Sequence, residues 1–196
     1  MISYKKGELM KKYIGIFIVV FVGYMIGNSI YIQINKDPTP GKAKRFPCQA
    51  KTTTFEKGYS PAEIKIAQEL LTQGGVSFKS SVEKSVYESS KLFDHIKLAD
   101  MDKVMQKALD SYVTVSKYKD GKNPLKVSYY IYENDIKDPG KKTKKSKLYA
   151  GYVVLQIKNN KNRVIYKVQI DFMDFQGSDI SSKIECSIKS FMTYNK

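Results

Sequence analysis

Few residues in this chain are of types that do chemistry, and their spacing decides what each could do. The one histidine, His95, follows Phe93 and Asp94 near the end of a predicted helix. A general base needs a partner group and a pocket, and the flanking sequence supplies neither, so His95 reads as a solvated helix-end imidazole. Asp171, Asp174 and Asp179 lie close together, as metal ligands often do. Asp171 and Asp174 have opposite parity on a strand, and no glycine-bearing calcium loop surrounds them. They read as solvent-facing and capping carboxylates. Gly74-Gly75 lacks the downstream Lys-Ser/Thr of a phosphate loop. No serine stands in a nucleophile-elbow sequence, and the two cysteines have no histidine to activate them except His95. No catalytic residue, metal site or cofactor site is expected.

Two groups hold more promise. Cys48 and Cys186 are the complete cysteine complement, an even count that permits one disulfide in an exported domain. The bridge would close a loop of roughly 140 residues and stabilise by about 4–5 kcal/mol through chain entropy. Two unrelated buried thiols are the alternative, and the spacing matches no zinc pattern. The segment "KDPGKKTKKSK" carries Lys137, Lys141, Lys142, Lys144, Lys145 and Lys147. Such a cluster could contact anionic headgroups at ~1 kcal/mol per lysine, or be a long solvated hairpin loop.

What must position these residues begins with "KKYIGIFIVVFVGYMIGNSIYIQINK", Lys11 to Lys36. Tyr13 to Asn35 is uncharged and long enough, at ~1.5 Å per residue, for a hydrocarbon core of ~30 Å. Tyr13, Tyr24 and Tyr31 suit its interfaces. A cleaved signal is the second reading, with a basic start (Lys5, Lys6, Lys11, Lys12) and small residues at Gly27-Asn28-Ser29. Ile30, Ile32 and Ile34 continue the apolar pattern past that point, which favours retention. A buried core helix would need a large protein around it. Basic residues are balanced on the two flanks, so orientation rests on the layout of a short N-terminus and one long following domain. The expected organisation is a cytoplasmic N-terminus over 1–12, a transmembrane signal-anchor over 13–35, a linker over 36–60 and an extracytoplasmic domain over 61–196. That places the protein in the inner (cytoplasmic) membrane as a single-pass protein, with its C-terminal domain periplasmic or extracellular.

The chain has 196 residues, 42% hydrophobic, with 15 Tyr and 9 Phe, enough for one domain with a real core. Its net charge is +15, but of 34 basic residues only Arg45 and Arg163 are arginine. Recognition of phosphates and base edges favours the bidentate arginine fork. The excess therefore supports solubility and weak attraction to anionic surfaces rather than nucleic-acid binding.

In the outer domain, Ser60-Pro61-Ala62-Glu63 marks a helix start, with Ile64, Ala67, Leu70 and Leu71 inward and Gly74-Gly75 as its stop. A second helix fits Ser80 to Ile96, with Val82, Val86, Phe93 and Ile96 inward. A third, capped by Asp100, fits Met101 to about Ser116. The period then falls to 2. "LKVSYYIYEN" (Leu125 to Asn134), "KLYAGYVVLQIK" (Lys147 to Lys158) and "RVIYKVQIDF" (Arg163 to Phe172) predict three antiparallel strands, the middle one apolar on both faces. Asn159 to Asn162 predicts a hairpin turn. The stretch 36–60 allows at most a short strand near Thr52 to Phe55. The tail fits a helix, with Ile180, Ile184, Ile188 and Phe191 on one face, or a strand with Ile184, Cys186 and Ile188 inward; helix is preferred. The fold class is α+β: an N-terminal transmembrane helix, then two to three helices packed on an antiparallel sheet of three to four strands.

This order of anchor, linker, helices and antiparallel sheet resembles the single-pass assembly components of type IV secretion systems. The resemblance implies an outer domain like the nuclear-transport-factor fold, a curved sheet with helices packed on it and a fourth strand in the tail. Immunity proteins and cell-envelope accessory proteins share the layout. The expected function is a non-enzymatic, membrane-anchored binding or assembly protein of the bacterial cell envelope, with a protein partner and no small-molecule substrate. The alternatives are a secreted protein after signal cleavage and an exported hydrolase using Asp171 or His95.

Overall fold

The structure is a computed structural model that describes residues 47–49, 52, 54–88, 90–115 and 125–195. The expected N-terminus 1–12, the anchor 13–35 and the linker as far as 46 lie outside the described residues. Among the described residues, no helix is long and apolar enough to cross a membrane. All described elements belong to a unit spanning Ala43–Lys196.

The architecture is mixed α+β. Five strands, β1 (Thr54–Gly58), β2 (Val76–Glu83), β3 (Leu125–Glu133), β4 (Gly151–Lys158) and β5 (Val164–Phe172), form one sheet in the order β1-β5-β4-β3-β2. Among the described residues four helices complete it: α1 (Pro61–Thr72), α2 (Leu92–His95), α3 (Leu98–Asp110) and α4 (Ile180–Thr193).

The three expected strands are present and antiparallel, with β4 central between β3 and β5. Val153, Leu155 and Ile157 of β4 face the helices in register with Ile131, Tyr129 and Val127 of β3. Tyr166, Val168, Ile170 and Phe172 of β5 continue that buried face. Asn162 turns the hairpin at φ 60°, and the Asn159 carboxamide oxygen accepts the Lys161 and Arg163 amides. The start of β4 is later than expected, because Lys145–Lys147 forms a 3-10 turn.

The sheet has five strands rather than three or four, and it is not wholly antiparallel. Val76–Glu83 is a strand running parallel to β3, with Val76 opposite Leu125 and Val82 opposite Ile131. The helix expected over Ser80 to Ile96 is therefore replaced by a strand, a loop and the single turn α2. Val76, Phe78, Ser80 and Val82 alternate inward. Ser80-Ser81 has little helical preference, and a paired neighbour strand outweighs it. Val86, expected inward, is 85% exposed. The fifth strand, β1, lies within the expected linker, overlaps the short strand allowed near Thr52 to Phe55, and pairs antiparallel with β5.

Helix α1 begins as expected, with an extended Ser60 at its N-cap and Pro61 in the first turn, although the Ser60 side chain makes no capping bond. It ends in a Schellman motif: the Gly74 amide donates to Leu71 O and the Gly75 amide to Leu70 O, with Gly74 at φ +80°. Helix α3 starts at Leu98, ahead of the expected Asp100 cap, which lies in its first turn and bonds Lys103 instead. The tail is a helix, not the strand that the nuclear-transport-factor-like arrangement implies. Ile180, Ile184, Ile188 and Phe191 bury one side of α4.

One core joins α1, α3 and α4 to the inner face of the sheet. The last turn of α4 is tied to α1 and β1. Gln68 donates to the carbonyls of Phe191 and Tyr194, and the Tyr194 hydroxyl accepts the Gly58 amide at 3.1 Å. Cys48 and Cys186 are joined, with Cα atoms 6.0 Å apart. Beside them, Gln49 Nε2 donates to Ser190 Oγ at 2.7 Å.

Candidate functional site

Strand periodicity sends alternate side chains of the sheet away from the core, and among the described residues no helix joins the core cluster on that second face. Its centre is aromatic. Tyr132 and Tyr152 are cross-strand neighbours and stack with ring centroids 4.4 Å apart. Tyr130 meets the edge of Tyr152 at 6.3 Å, and Tyr149 leans on it at 6.4 Å. Val154 lies on the same face and is fully buried although it is no part of the core cluster. Lys126, Lys158 and Lys167 lie to one side of this centre, toward the hairpin end of the sheet, and Phe55 of β1 adds an exposed ring beside Gln169.

Burial pushes the hydroxyls of Tyr130, Tyr149 and Tyr152 upward, and for Tyr149 the Asp171 charge adds to the effect. All three stay protonated at neutral pH and present hydrogen-bond donors on flat apolar rings. Asp171 is buried here, opposite Tyr152 in the ladder, and accepts from Gln169 Nε2 at 3.3 Å. It is part of the face, not an exposed base.

The lysine-rich segment crosses one end of this face, and the structure separates its members. Lys141 does not reach into solvent. Its ammonium donates to the Tyr132 hydroxyl at 3.2 Å and to Asn134 Oδ1, and stands 5.4 Å from the Tyr132 ring centroid. Lys137 pairs with Glu88 at 3.2 Å. Lys142, Lys144 and Lys147 are exposed, while the side chain of Lys145 lies outside the described set. The segment is held down by Asn134, whose Nδ2 donates to Tyr149 O at 2.7 Å and Ser146 O at 3.1 Å. It is a structured loop, not a simple solvated hairpin.

The carboxylates that matter most to the site are ones the sequence reading passed over. Glu133 ends β3 and is buried. Its Oε1 accepts the amides of Lys91 and Leu92, both at 2.9 Å. Its Oε2 accepts the Ser85 amide at 3.2 Å and hydroxyl at 3.3 Å. Asp135 accepts the amides of Val86, Tyr87 and Lys137. Burial works against charge at both, but hydrogen bonds outweigh it, from the Ser90 hydroxyl and the converging amides at Glu133 and from the amides at Asp135, and hold both carboxyls below their ordinary values. Their joint effect is to fasten the loop after β2 onto the end of β3. Backbone donors leave no residue pattern, so only the Glu-Asn-Asp run at a strand end could have hinted at this.

The remaining candidates are local. His95 is exposed on α2. Asp174 accepts the Ser178 hydroxyl and the Gln176 amide, which hold its carboxyl low with a smaller contribution from the His95 charge. Asp179 accepts the Met173 amide at 2.9 Å and the Asp174 amide at 3.3 Å. Among the described residues, no group of three or more His, Cys, Asp or Glu is placed to hold a metal ion.

No family model and no curated protein matches the chain. Among solved structures it is similar to a point variant of the PelC dodecamer from Paraburkholderia phytofirmans, at 13% identity and a TM-score of 0.35, over 72% of this chain and 96% of that one. At that score the similarity carries no argument about fold or function.

Proposed function

We propose that the protein is a non-enzymatic binding or assembly component of the bacterial cell envelope. It is held in the inner membrane by Tyr13 to Asn35, and its domain acts outside the cytoplasm through protein contacts. The observation that carries this reading is the Cys48–Cys186 pair, which uses every cysteine in the chain. Disulfides persist in oxidising compartments and are rare in reducing ones. The tyrosine centre of the sheet's second face supports a protein partner, because tyrosine is enriched in the core of protein interfaces. Its stacked Tyr132 and Tyr152 are already ordered, so binding costs them little rotamer entropy.

The test joins location, redox state and contact. The full chain with a C-terminal tag is alkylated in intact cells, fractionated and weighed intact, and a photo-reactive residue replaces Tyr132 in a parallel sample. Full-length mass in the membrane fraction, thiols that alkylate only after reduction, and a discrete crosslinked species that Tyr152→Ala weakens are the expected results. Full-length cytosolic protein with both thiols alkylated would sink the location and the function together.

A further inference from the structure

Three loops leave the same end of the sheet: residues 84–91 after β2, 134–150 between β3 and β4, and 173–179 after β5. The strand register brings their bases side by side, with Glu83 opposite Tyr132, Glu133 opposite Gly151, and Gly151 opposite Phe172. Of the nine large apolar side chains exposed among the described residues, five stand on these loops: Val86, Tyr87, Leu148, Met173 and Phe175. Such a concentration at one end differs from the single scattered apolar residues normal on a surface. These side chains do not ride on loose segments. The first loop is fastened by Glu133 and Asp135, the second by Asn134, and the third by Asp174 and Asp179.

The charges on the same loops are unequal in exposure. Lys84, Lys91, Lys142, Lys144 and Lys147 are exposed. The acids are held by hydrogen bonds but keep their charge: Glu88 pairs with Lys137, Asp138 accepts the Gly140 amide, and Asp135, Asp174 and Asp179 accept the amides already described, so the three loops carry eight lysines against five acids. Glu83 and Asp94 are exposed acids at the edge of this end and Glu133 is a buried one, and together they offset the excess, so the positive charge is local: it stands on the exposed Lys142, Lys144 and Lys147 of the second loop. The end of the domain is thus an apolar tip beside exposed lysines. That combination fits a bilayer interface, where apolar side chains enter the headgroup layer and lysine stems reach back to the phosphates. A highly charged nucleic acid would leave the apolar tip uncovered.

We propose that this end of the domain docks on an anionic phospholipid surface, with Leu148, Met173 and Phe175 entering the headgroup layer and Lys142, Lys144 and Lys147 on its phosphates. This goes beyond the protein-binding reading and uses a different surface from the tyrosine centre, so either can fail alone.

The chain contains no tryptophan, which makes Phe175→Trp a sole reporter at the tip. The full-length variant is reconstituted with vesicles of phosphatidylcholine and phosphatidylglycerol, and with phosphatidylcholine alone, each with and without brominated lipid. Tyr59→Trp, exposed at the opposite end of the sheet, is the control, and Leu148→Trp repeats the test on a second loop. Blue-shifted emission and bromolipid quenching at 175 and 148 in the anionic vesicles, but not at 59, are expected. Changing Lys142, Lys144 and Lys147 together to Ser then lowers the docked-to-undocked ratio on the order of 100-fold. Unquenched reporters at 175 and 148 in anionic vesicles overturn the inference and leave this end to a protein partner. Equal quenching without phosphatidylglycerol, or equal quenching at 59, overturns it as well.

Discussion

Replacing Glu133 by Gln removes one charge and leaves the shape almost unchanged, yet the geometry requires a large effect. The two carboxylate oxygens divide their work: one accepts the amides of Lys91 and Leu92, the other the amide and hydroxyl of Ser85. A carboxamide has a single acceptor oxygen. It does best by keeping the Lys91 and Leu92 amides, since its NH2 group then faces the Ser85 amide, donor against donor, beside a hydroxyl that already donates to Glu88 O at 2.7 Å and can turn to accept. Hydrogen bonds to a charged acceptor contribute about 1.5–3 kcal/mol each, and buried donors left without one cost a comparable amount. The lost Ser85 amide bond and the opposed donors, partly offset by water reaching the loop, give about 2 kcal/mol. At Asp135 the division differs, since one oxygen takes both Val86 and Tyr87 while the other takes only the Lys137 amide at 3.3 Å. Asparagine there keeps the main pair, so Asp135→Asn costs less than Glu133→Gln. Urea unfolding gives the two free energies, and hydrogen exchange over residues 84–92 locates the opening. A Glu133→Gln change below ~0.5 kcal/mol, the range of ordinary surface substitutions, would refute the reasoning. So would an Asp135→Asn that is the more costly of the two.

Three further outcomes follow from particular contacts. Reducing the Cys48–Cys186 bridge, or Cys186→Ser, lowers stability by up to about 5 kcal/mol, since the cysteines are 138 residues apart and closure of so long a loop removes much unfolded-state entropy; denaturation curves that coincide with and without reductant would contradict it. Acid loosens the loop after β2: the carboxyls of Glu133 and Asp135 are held below their ordinary values of 4.5 and 3.8, so their contribution is complete above those values and is lost as the pH falls through the lower folded ones. Exchange protection of the Ser85, Val86, Tyr87 and Leu92 amides should therefore drop in acid, and Glu133→Gln should flatten the dependence. Gly151→Ala sets a Cβ 2.1 Å from the Tyr132 carbonyl oxygen and 2.3 Å from the Phe172 ring, forcing β4 away from its neighbours at about 3 kcal/mol; unfolding free energy within error of the parent protein would show that the sheet yields there.

Local patterns were legible in the residues because their physics is local. Alternation in Leu125 to Glu133 and Val164 to Phe172 dictates which side chains face a core wherever the partner strand comes from, and the apolar run in Gly151–Lys158 requires a central place. Ser60-Pro61 and Gly74-Gly75 bound α1 by the backbone angles they favour. The spacing of Ile180, Ile184, Ile188 and Phe191 makes α4 amphipathic before anything packs on it. Two cysteines permit only one intrachain bond.

Tertiary structure decided the rest. Val76–Glu83 became a strand because β3, whose first residue is 49 positions beyond Val76, offered a parallel ladder, and no local period reports a partner so distant. Thr54–Gly58 is a short edge strand that β5 recruits. Of the six lysines that look alike in sequence, the five whose side chains are described divide by what lies beneath them: Tyr132 and Asn134 claim Lys141, Glu88 claims Lys137, and Lys142, Lys144 and Lys147 are left to solvent. Glu133 and Asp135 acquire their roles from backbone amides, which every residue but proline carries and which no sequence pattern marks.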